Sequence, residues 1–141
     1  MSGDRIERET LIAASLDHVW KLVTEPGFWV GGPSTGTTAE VGDSVVAKNE
    51  HGEFPVRLEA VEPPTYVAFR WASAFPGEEP REDNSTLVEF TLTAEGDGVR
   101  LRVVESGFAA IVDTAIRRDA MRNNDSGWAQ QLTAFQQRAE Q

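Results

Sequence analysis

The sequence contains no cysteine, and this absence excludes disulfide bonds, thiolate catalysis and cysteine-ligated zinc. Histidine is almost as scarce: His18 and His51 are the only two, and they do not have the i, i+4 spacing of a helical metal site. A glycine-rich phosphate loop is also missing, because Gly31-Gly32 lacks the lysine and the strand-to-helix setting of such loops. We therefore expect neither a metal site nor a cofactor.

Long apolar runs are absent as well, and the longest stretches fall far short of the roughly 20 residues that a membrane-spanning helix needs. Residues 1–5 are polar, with no apolar signal-peptide segment behind them, so we expect a cytoplasmic protein without a membrane span. The chain carries 13 basic and 23 acidic residues, which gives a net charge of −10. That charge repels a phosphate backbone, so nucleic-acid binding is not expected.

The composition that is present is typical of one globular domain, which we predict to span residues 1–141. Hydrophobic residues make up 40% of the chain and charged residues 26%, close to the average for folded domains. Alternating apolar residues predict a first strand over residues 5–13, with Ile6 and Ile12 on its buried side.

A helix is predicted to follow this strand. Ser15 is placed to cap it, apolar residues recur at helical spacing, and Pro26-Gly27 ends it before an apolar loop over residues 28–33. From residue 35 to residue 108 the hydrophobic period changes to two, which predicts antiparallel strands joined by tight turns. The polar segment 76–84 is expected to be the least ordered part of the chain and to be dispensable.

The C-terminal segment again shows helical spacing, with three large apolar residues at i, i+4 and i+7: Trp128, Leu132 and Phe135. Asn123-Asn124-Asp125 predicts a break before it, so that Ser126 would cap a terminal helix separate from the connector at residues 109–122. The order of elements predicts an α+β fold. We expect a curved antiparallel sheet of about six to seven strands wrapped around the long C-terminal helix, because a twisted sheet needs its concave face covered.

Several short stretches, taken in this order, resemble one known family. They are Ile12-Ala13-Ala14-Ser15, Val19-Trp20-Lys21-Leu22-Val23-Thr24, Val61-Glu62-Pro63-Pro64, Phe69-Arg70-Trp71, Thr86-Leu87-Val88-Glu89-Phe90-Thr91-Leu92, Ser106-Gly107-Phe108 and Gly127-Trp128. Together they are similar to proteins related to the activator of the Hsp90 ATPase, within the START-like and Bet v 1-like group. The resemblance implies the helix-grip fold. It also implies a small hydrophobic ligand, since members of the wider group bind sterols, lipids, polyketides or plant hormones.

The resemblance favours a ligand pocket between the sheet and the helix, because a strongly bent sheet and a helix cannot interdigitate along their whole length. Inward-facing residues would line this pocket: Phe54, Val56, Leu58, Val67, Phe69, Trp71, Val88, Phe90, Leu101 and Val103 from the strands, with Trp128, Leu132 and Phe135 closing it from the helix. The alternative is that these residues simply pack a dense core.

Glu105 is the polar residue of most interest in the predicted lining. It is in phase with Leu101 and Val103, so its carboxylate should point inward, where it needs a partner or a raised pKa. Arg70 could be that partner only if a bulge reverses the face of its strand. Alternatively, the strand frays near Gly107 and the carboxylate of Glu105 reaches solvent at the rim.

Three functions remain open at this point. The first is a carrier or sensor that binds a small hydrophobic or amphipathic molecule. The second is an enzyme of cyclase, dehydratase or hydrolase type that uses Glu105 with Arg70 or Tyr66, although no catalytic residue is defined by the sequence. The third is a co-chaperone-like interaction module that presents Phe28-Trp29-Val30 to a protein partner or to a second copy of the chain.

Overall fold

The computed structural model describes residues 5–32, 34–35 and 40–140. Within them lie six strands, β1 (Arg5–Ile12), β2 (Ser44–Asn49), β3 (Gly52–Glu62), β4 (Tyr66–Trp71), β5 (Thr86–Glu95) and β6 (Gly98–Ser106). They form one antiparallel sheet in the order β1-β6-β5-β4-β3-β2. The predicted α+β class and antiparallel sheet are therefore confirmed, with six strands where six to seven were expected.

Alternation along the strands gives the sheet one apolar face, as the period of two predicts. The register places four residues side by side across this face, because Phe69 pairs with both Leu58 and Val88, and Val88 also pairs with Glu105. The opposite face carries cross-strand ion pairs that are partly exposed to solvent. Only the apolar face therefore needs to be covered by helices.

The first covering helix is α1 (Leu16–Val23), and it begins where the sequence predicts. The Ser15 hydroxyl accepts a hydrogen bond from the backbone N–H of His18 at 3.2 Å, which satisfies one of the free donors at the helix start. Val19 and Val23 are fully buried against the sheet. The predicted cap and the predicted apolar stripe of this helix are both present.

The apolar loop predicted over residues 28–33 is wrong for its first part, which is helical. A short helix, α2 (Pro26–Val30), begins at the proline that the sequence pattern assigns only to the end of α1. Proline suits the first position of a helix because its missing N–H has no partner there. Gly31, with φ of 100°, ends α2 and donates its N–H to the carbonyl of Gly27 at 3.0 Å. Pro33 lies outside the described residues.

The C-terminal helix α3 (Thr114–Ala139) is one continuous element of 26 residues, about 39 Å long at the usual rise per residue. The break predicted at Asn123-Asn124-Asp125 is wrong, and Ser126 lies inside the helix. Asp113 is the true cap, since its Oδ1 accepts from the N–H groups of Ala115 and Ile116 at 2.9 and 3.0 Å. Packing against the sheet outweighs the weak helix propensity of the central residues. No helix in the described part of the chain is long and apolar enough to cross a membrane.

The segment 76–84 is structured, contrary to the expectation of a disordered linker. Asn84 is 3% exposed, and its side chain accepts from the backbone N–H of Arg81 and donates to Glu78 and to the carbonyl of Glu79. A buried amide that closes a loop in this way replaces the missing strand hydrogen bonds. Shortening this loop is therefore expected to cost stability.

Candidate functional site

A cleft of about 950 Å³ opens between α3 and one end of the sheet. The helix is held at the β1 edge, where Arg8 Nε lies 2.9 Å from Asp125 Oδ1 and Gln136 Nε2 donates to the carbonyl of Leu11 at 3.1 Å. At the other side, α3 faces α2, the turn between β2 and β3, and the segment that follows β4. The helix therefore covers the sheet unevenly, and the uncovered side is the cleft.

The floor of the cleft contains four aromatic side chains: Trp29, Phe54, Trp71 and Trp128. The ring centre of Trp29 lies 5.2 Å from that of Trp71 and 5.6 Å from that of Trp128. Trp71 is the most exposed of the four at 9%. The rings pack mainly against one another, in tilted, edge-on and stacked pairs of the kind that aromatic cores favour, so the floor is preformed.

The walls of the cleft are more polar than the floor. The end of β2 supplies Asn49, and the β2–β3 turn supplies Glu50 and His51. The helix α3 supplies a row of amide, hydroxyl and carboxylate side chains, namely Asp119, Asn123, Asn124, Ser126, Gln130 and Gln131. Ala74, Pro76, Ile116 and Ala120 add apolar surface. Ligand sites usually combine an apolar base with a few polar groups, and the polar share here is large.

Glu105 lies directly beneath this floor, and its side chain is fully buried. Its Oε1 accepts from Trp128 Nε1 at 2.8 Å, and its Oε2 accepts from Trp71 Nε1 at 3.0 Å and from Thr86 Oγ1 at 2.5 Å. Asn124 Nδ2 lies 3.0 Å from both carboxylate oxygens. The first of the two sequence interpretations is therefore correct: Glu105 points inward and does not reach solvent at a frayed strand end.

Two opposing effects act on the pKa of Glu105. Burial is the larger and raises the pKa, while the hydrogen bonds from Thr86, Trp128, Trp71 and Asn124 lower it, with a net shift upward from 4.5. All four partners are uncharged, so within the described part of the chain no cation is hydrogen-bonded to the buried carboxylate. Three of them, Trp71, Asn124 and Trp128, also line the cleft, so Glu105 fixes the orientation of the floor from behind.

Arg70 is not the partner of Glu105. Its Nε lies 3.4 Å from Glu59 Oε1 and its Nη1 lies 3.4 Å from Ser85 Oγ. The strand irregularity falls between Leu58 and Ala60 in β3, not at Arg70, so the face of Arg70 is not reversed. Tyr66 is engaged elsewhere too, since its hydroxyl donates to Glu89 Oε2 at 2.6 Å, and burial first and this bond second raise its pKa to about 12.

The predicted lining residues divide into three groups. Phe54, Trp71 and Trp128 line the cleft, and Glu105 lies behind it. The other ten are buried in the core and do not line this cleft: Val56, Leu58, Val67, Phe69, Val88, Phe90, Leu101, Val103, Leu132 and Phe135. A ligand-binding role for these ten residues stays a prediction.

Trp29 is a lining residue that the predicted set does not include. Among the described residues, its Nε1 is the one buried side-chain polar atom without a hydrogen-bond partner. Most buried donors in folded proteins are paired, because an unpaired one costs about 1–3 kcal/mol. The atom is shielded from solvent, so this unpaired N–H is a cost to the fold that the described contacts do not offset.

Gly127 is a second lining residue that the predicted set does not include. It lies inside α3 and lines the cleft, and a Cβ atom added there would meet no atom within 4 Å. Glycine in a helix interior costs about 1 kcal/mol relative to alanine. The absence of a side chain at this position keeps the helix wall of the cleft open.

The two histidines lie on different parts of the surface. His18 is exposed on α1, and His51 is exposed at the rim of the cleft, where its Nε2 lies 3.6 Å from Glu50 Oε1. Over the described ranges, no group of three or more His, Cys, Asp and Glu side chains is placed to hold a metal ion.

Known proteins are similar to this chain over nearly its whole length. The model of the family named Activator of Hsp90 ATPase homolog 1-like protein matches residues 13–140. Protein MLL2253 from Mesorhizobium loti shares 22% identity and a TM-score of 0.75, over 94% of each chain. The Aha1 dimer from Colwellia psychrerythraea shares 19% identity and a TM-score of 0.76, over 96% of each chain. DynU16, from the dynemicin biosynthetic locus, shares 23% identity and a TM-score of 0.72, over 95% of this chain and 46% of its own.

These structural likenesses establish the fold, in which the curved sheet and the long C-terminal helix match those of helix-grip proteins. No curated protein matches the chain in sequence.

Proposed function

This chain belongs to the family of Activator of Hsp90 ATPase homolog 1-like proteins, and we propose that it binds a small amphipathic molecule in the cleft between its sheet and α3. The observation that carries the proposal is the cleft itself: about 950 Å³ of space over a preformed aromatic floor. Clefts of this volume accommodate molecules of drug or cofactor size.

The balance of the lining favours an amphipathic ligand over a purely apolar one. The floor rings are each at most 9% exposed, whereas amide and hydroxyl groups of α3 form much of the wall. A purely apolar molecule would leave these polar groups without water or partners, which is costly. A molecule with an apolar body and several polar groups would satisfy both surfaces.

Gly127 allows a sharp test of this proposal. Gly127→Trp should place an indole in the open space of the cleft and abolish binding of an uncharged dye such as Nile red, without straining the helix. Gly127→Ala is the matched control: it should retain dye binding and stabilise the protein by about 0.5–1 kcal/mol, because alanine is the better helix former. Dye fluorescence and the dye-induced rise in melting temperature are the measurements.

The proposal fails if Nile red does not bind the wild-type protein, or if Gly127→Trp binds it as well as Gly127→Ala does. In the first case the cleft holds no apolar group, and in the second case the dye binds elsewhere on the surface.

The enzyme interpretation depends on Glu105 as an acid or base. Its raised pKa suits that role. However, its carboxylate is fully buried behind Trp71, Asn124 and Trp128, and these groups already occupy both oxygens. A substrate atom would have to displace one of them, so binding is the function we propose.

Two of the three residues that the interaction-module interpretation presents to a partner are buried. Trp29 and Val30 are 3% and 4% exposed, and the side chain of Phe28 lies outside the described residues. A protein partner or a second copy of the chain stays a prediction. The Colwellia psychrerythraea relative is a dimer, which favours the second copy, and light scattering of the purified protein measures its mass directly.

A further inference from the structure

The ionisable residues that line the cleft are mostly acidic. Among the described residues that line it, Glu50 and Asp119 are acidic, His51 is the third ionisable group, and neither lysine nor arginine is present. Arg118 is paired with Asp119, but only at 3.9 Å and with 70% of its side chain exposed, so it neutralises this carboxylate weakly. The net charge of −10 over the chain has the same sign.

An anionic ligand would meet three difficulties in this cleft. It would lose part of its hydration, it would find no cationic side chain to pair with, and it would be repelled by Glu50 and Asp119. A cation would be attracted by the same carboxylates and by the negative faces of the aromatic rings. An uncharged ligand would still gain contact with the aromatic floor.

We propose that this cleft selects uncharged or cationic ring compounds and discriminates against carboxylates and sulfonates. The inference rests on the proposed function and goes beyond it, because it defines the chemical class of the ligand. The carboxylates lie on two different walls, Glu50 on the β2–β3 turn with 87% of its side chain exposed and Asp119 on α3 with 61% exposed. A ligand between them is therefore exposed to both charges, each weakened by the surrounding water.

The test uses three probes with the same three-ring frame: acridine, which is uncharged near neutral pH, 9-aminoacridine, which is cationic, and acridine-9-carboxylate, which is anionic. Each is titrated against the wild-type protein by fluorescence at low salt. Taking each carboxylate to lie roughly 8 Å from the bound ring, in a high-dielectric setting with partial screening, the cation should bind about tenfold more tightly than the anion. The preference should shrink at high salt, because screening weakens it.

A charge-neutral double variant identifies the source of the preference. Glu50→Gln combined with Asp119→Asn should reduce the ratio of the two dissociation constants to about twofold or less. The matched control is Asp97→Asn, which removes an exposed carboxylate in the turn between β5 and β6, outside the cleft. This control should keep the tenfold preference and the turn, since asparagine is also favoured there.

The outcomes separate this inference from the proposed function. If neither acridine nor Nile red binds, the proposed function fails, and the charge preference fails with it. If acridine binds and the carboxylate binds as tightly as 9-aminoacridine, the function stands and the inference about charge is overturned. A preference that persists unchanged in the double variant also overturns it, because the cleft carboxylates would not be its cause.

Discussion

Replacing Glu105 with glutamine tests the polar cluster that lies behind the floor of the cleft. One carboxylate oxygen accepts a hydrogen bond from Trp128, and the other accepts hydrogen bonds from Trp71 and Thr86. The side-chain amide of Asn124 lies between the two oxygens and donates to both. A glutamine can offer its oxygen to one side only, and its NH₂ group then faces a donor on the other. At acid pH the protonated Glu105 can still accept hydrogen bonds on both sides, because its hydroxyl oxygen keeps acceptor capacity while its proton is donated to Thr86 Oγ1. The NH₂ group of glutamine cannot accept, so Glu105→Gln should lower the free energy of unfolding by about 1–3 kcal/mol at acid pH, the usual cost of a buried donor left unpaired.

The pH dependence of this effect follows from the raised pKa of Glu105. A carboxyl whose pKa is higher in the folded state than in the unfolded state binds more protons when folded. Its contribution to stability is then fully present below the unfolded value and is lost as the pH rises through the folded value. The difference in unfolding free energy, wild type minus Glu105→Gln, should accordingly fall above pH 4.5 by about 1.4 kcal/mol per unit and then level off.

The assay is urea unfolding of both proteins at a series of pH values from about 5 to about 9, followed by tryptophan fluorescence. Glu82→Gln in the loop between β4 and β5 is the control, since it removes an exposed carboxylate and should show little pH-dependent difference from wild type. A difference that grows with rising pH for Glu105→Gln would refute this reasoning, because the four hydrogen bonds would then outweigh burial.

Two further substitutions test the packing of the core. Phe135→Ala should lower the free energy of unfolding by about 3–5 kcal/mol, because Phe135 is 4% exposed on the buried face of α3. An unchanged urea midpoint would contradict the described packing. Val103→Trp should lower the free energy of unfolding by about 1–3 kcal/mol through overpacking, because Val103 is fully buried and does not line the cleft. A variant that stays stable but no longer binds the dye would instead indicate a cavity at Val103.

The sheet could be predicted from the sequence because its signals are local. Alternation along β5 and β6 sorts the residues onto two faces, and Glu95-Gly96-Asp97-Gly98 joins these strands by a tight turn. The same alternation places Glu105 on the apolar face, where the structure has it. What alternation cannot provide is the partners of Glu105, since they come from β4, β5 and α3.

The helices show where local signals are insufficient. Asn123-Asn124-Asp125 is a run of poor helix formers, and the sequence predicts a break there. The run stays helical because it belongs to a longer element whose buried face packs on the sheet, and because Asn124 donates to Ser73 at 2.8 Å as well as to Glu105. The position of the cleft was unpredictable for a related reason, since it depends on the docking of α3 at the β1 edge.

The residues that weaken local structure are concentrated around the cleft. Gly127 and Asn124 lower the helix propensity of α3, and Trp29 has an unpaired N–H. Glu105 is a buried carboxyl whose described hydrogen-bond partners are all uncharged. Each of them costs stability by itself, and an ordinary core would replace them with alanine, leucine or phenylalanine. Sequences that violate local rules usually do so at functional sites. The clustering of four such residues in or directly behind one cleft is therefore an argument for binding that is independent of the size of the cleft.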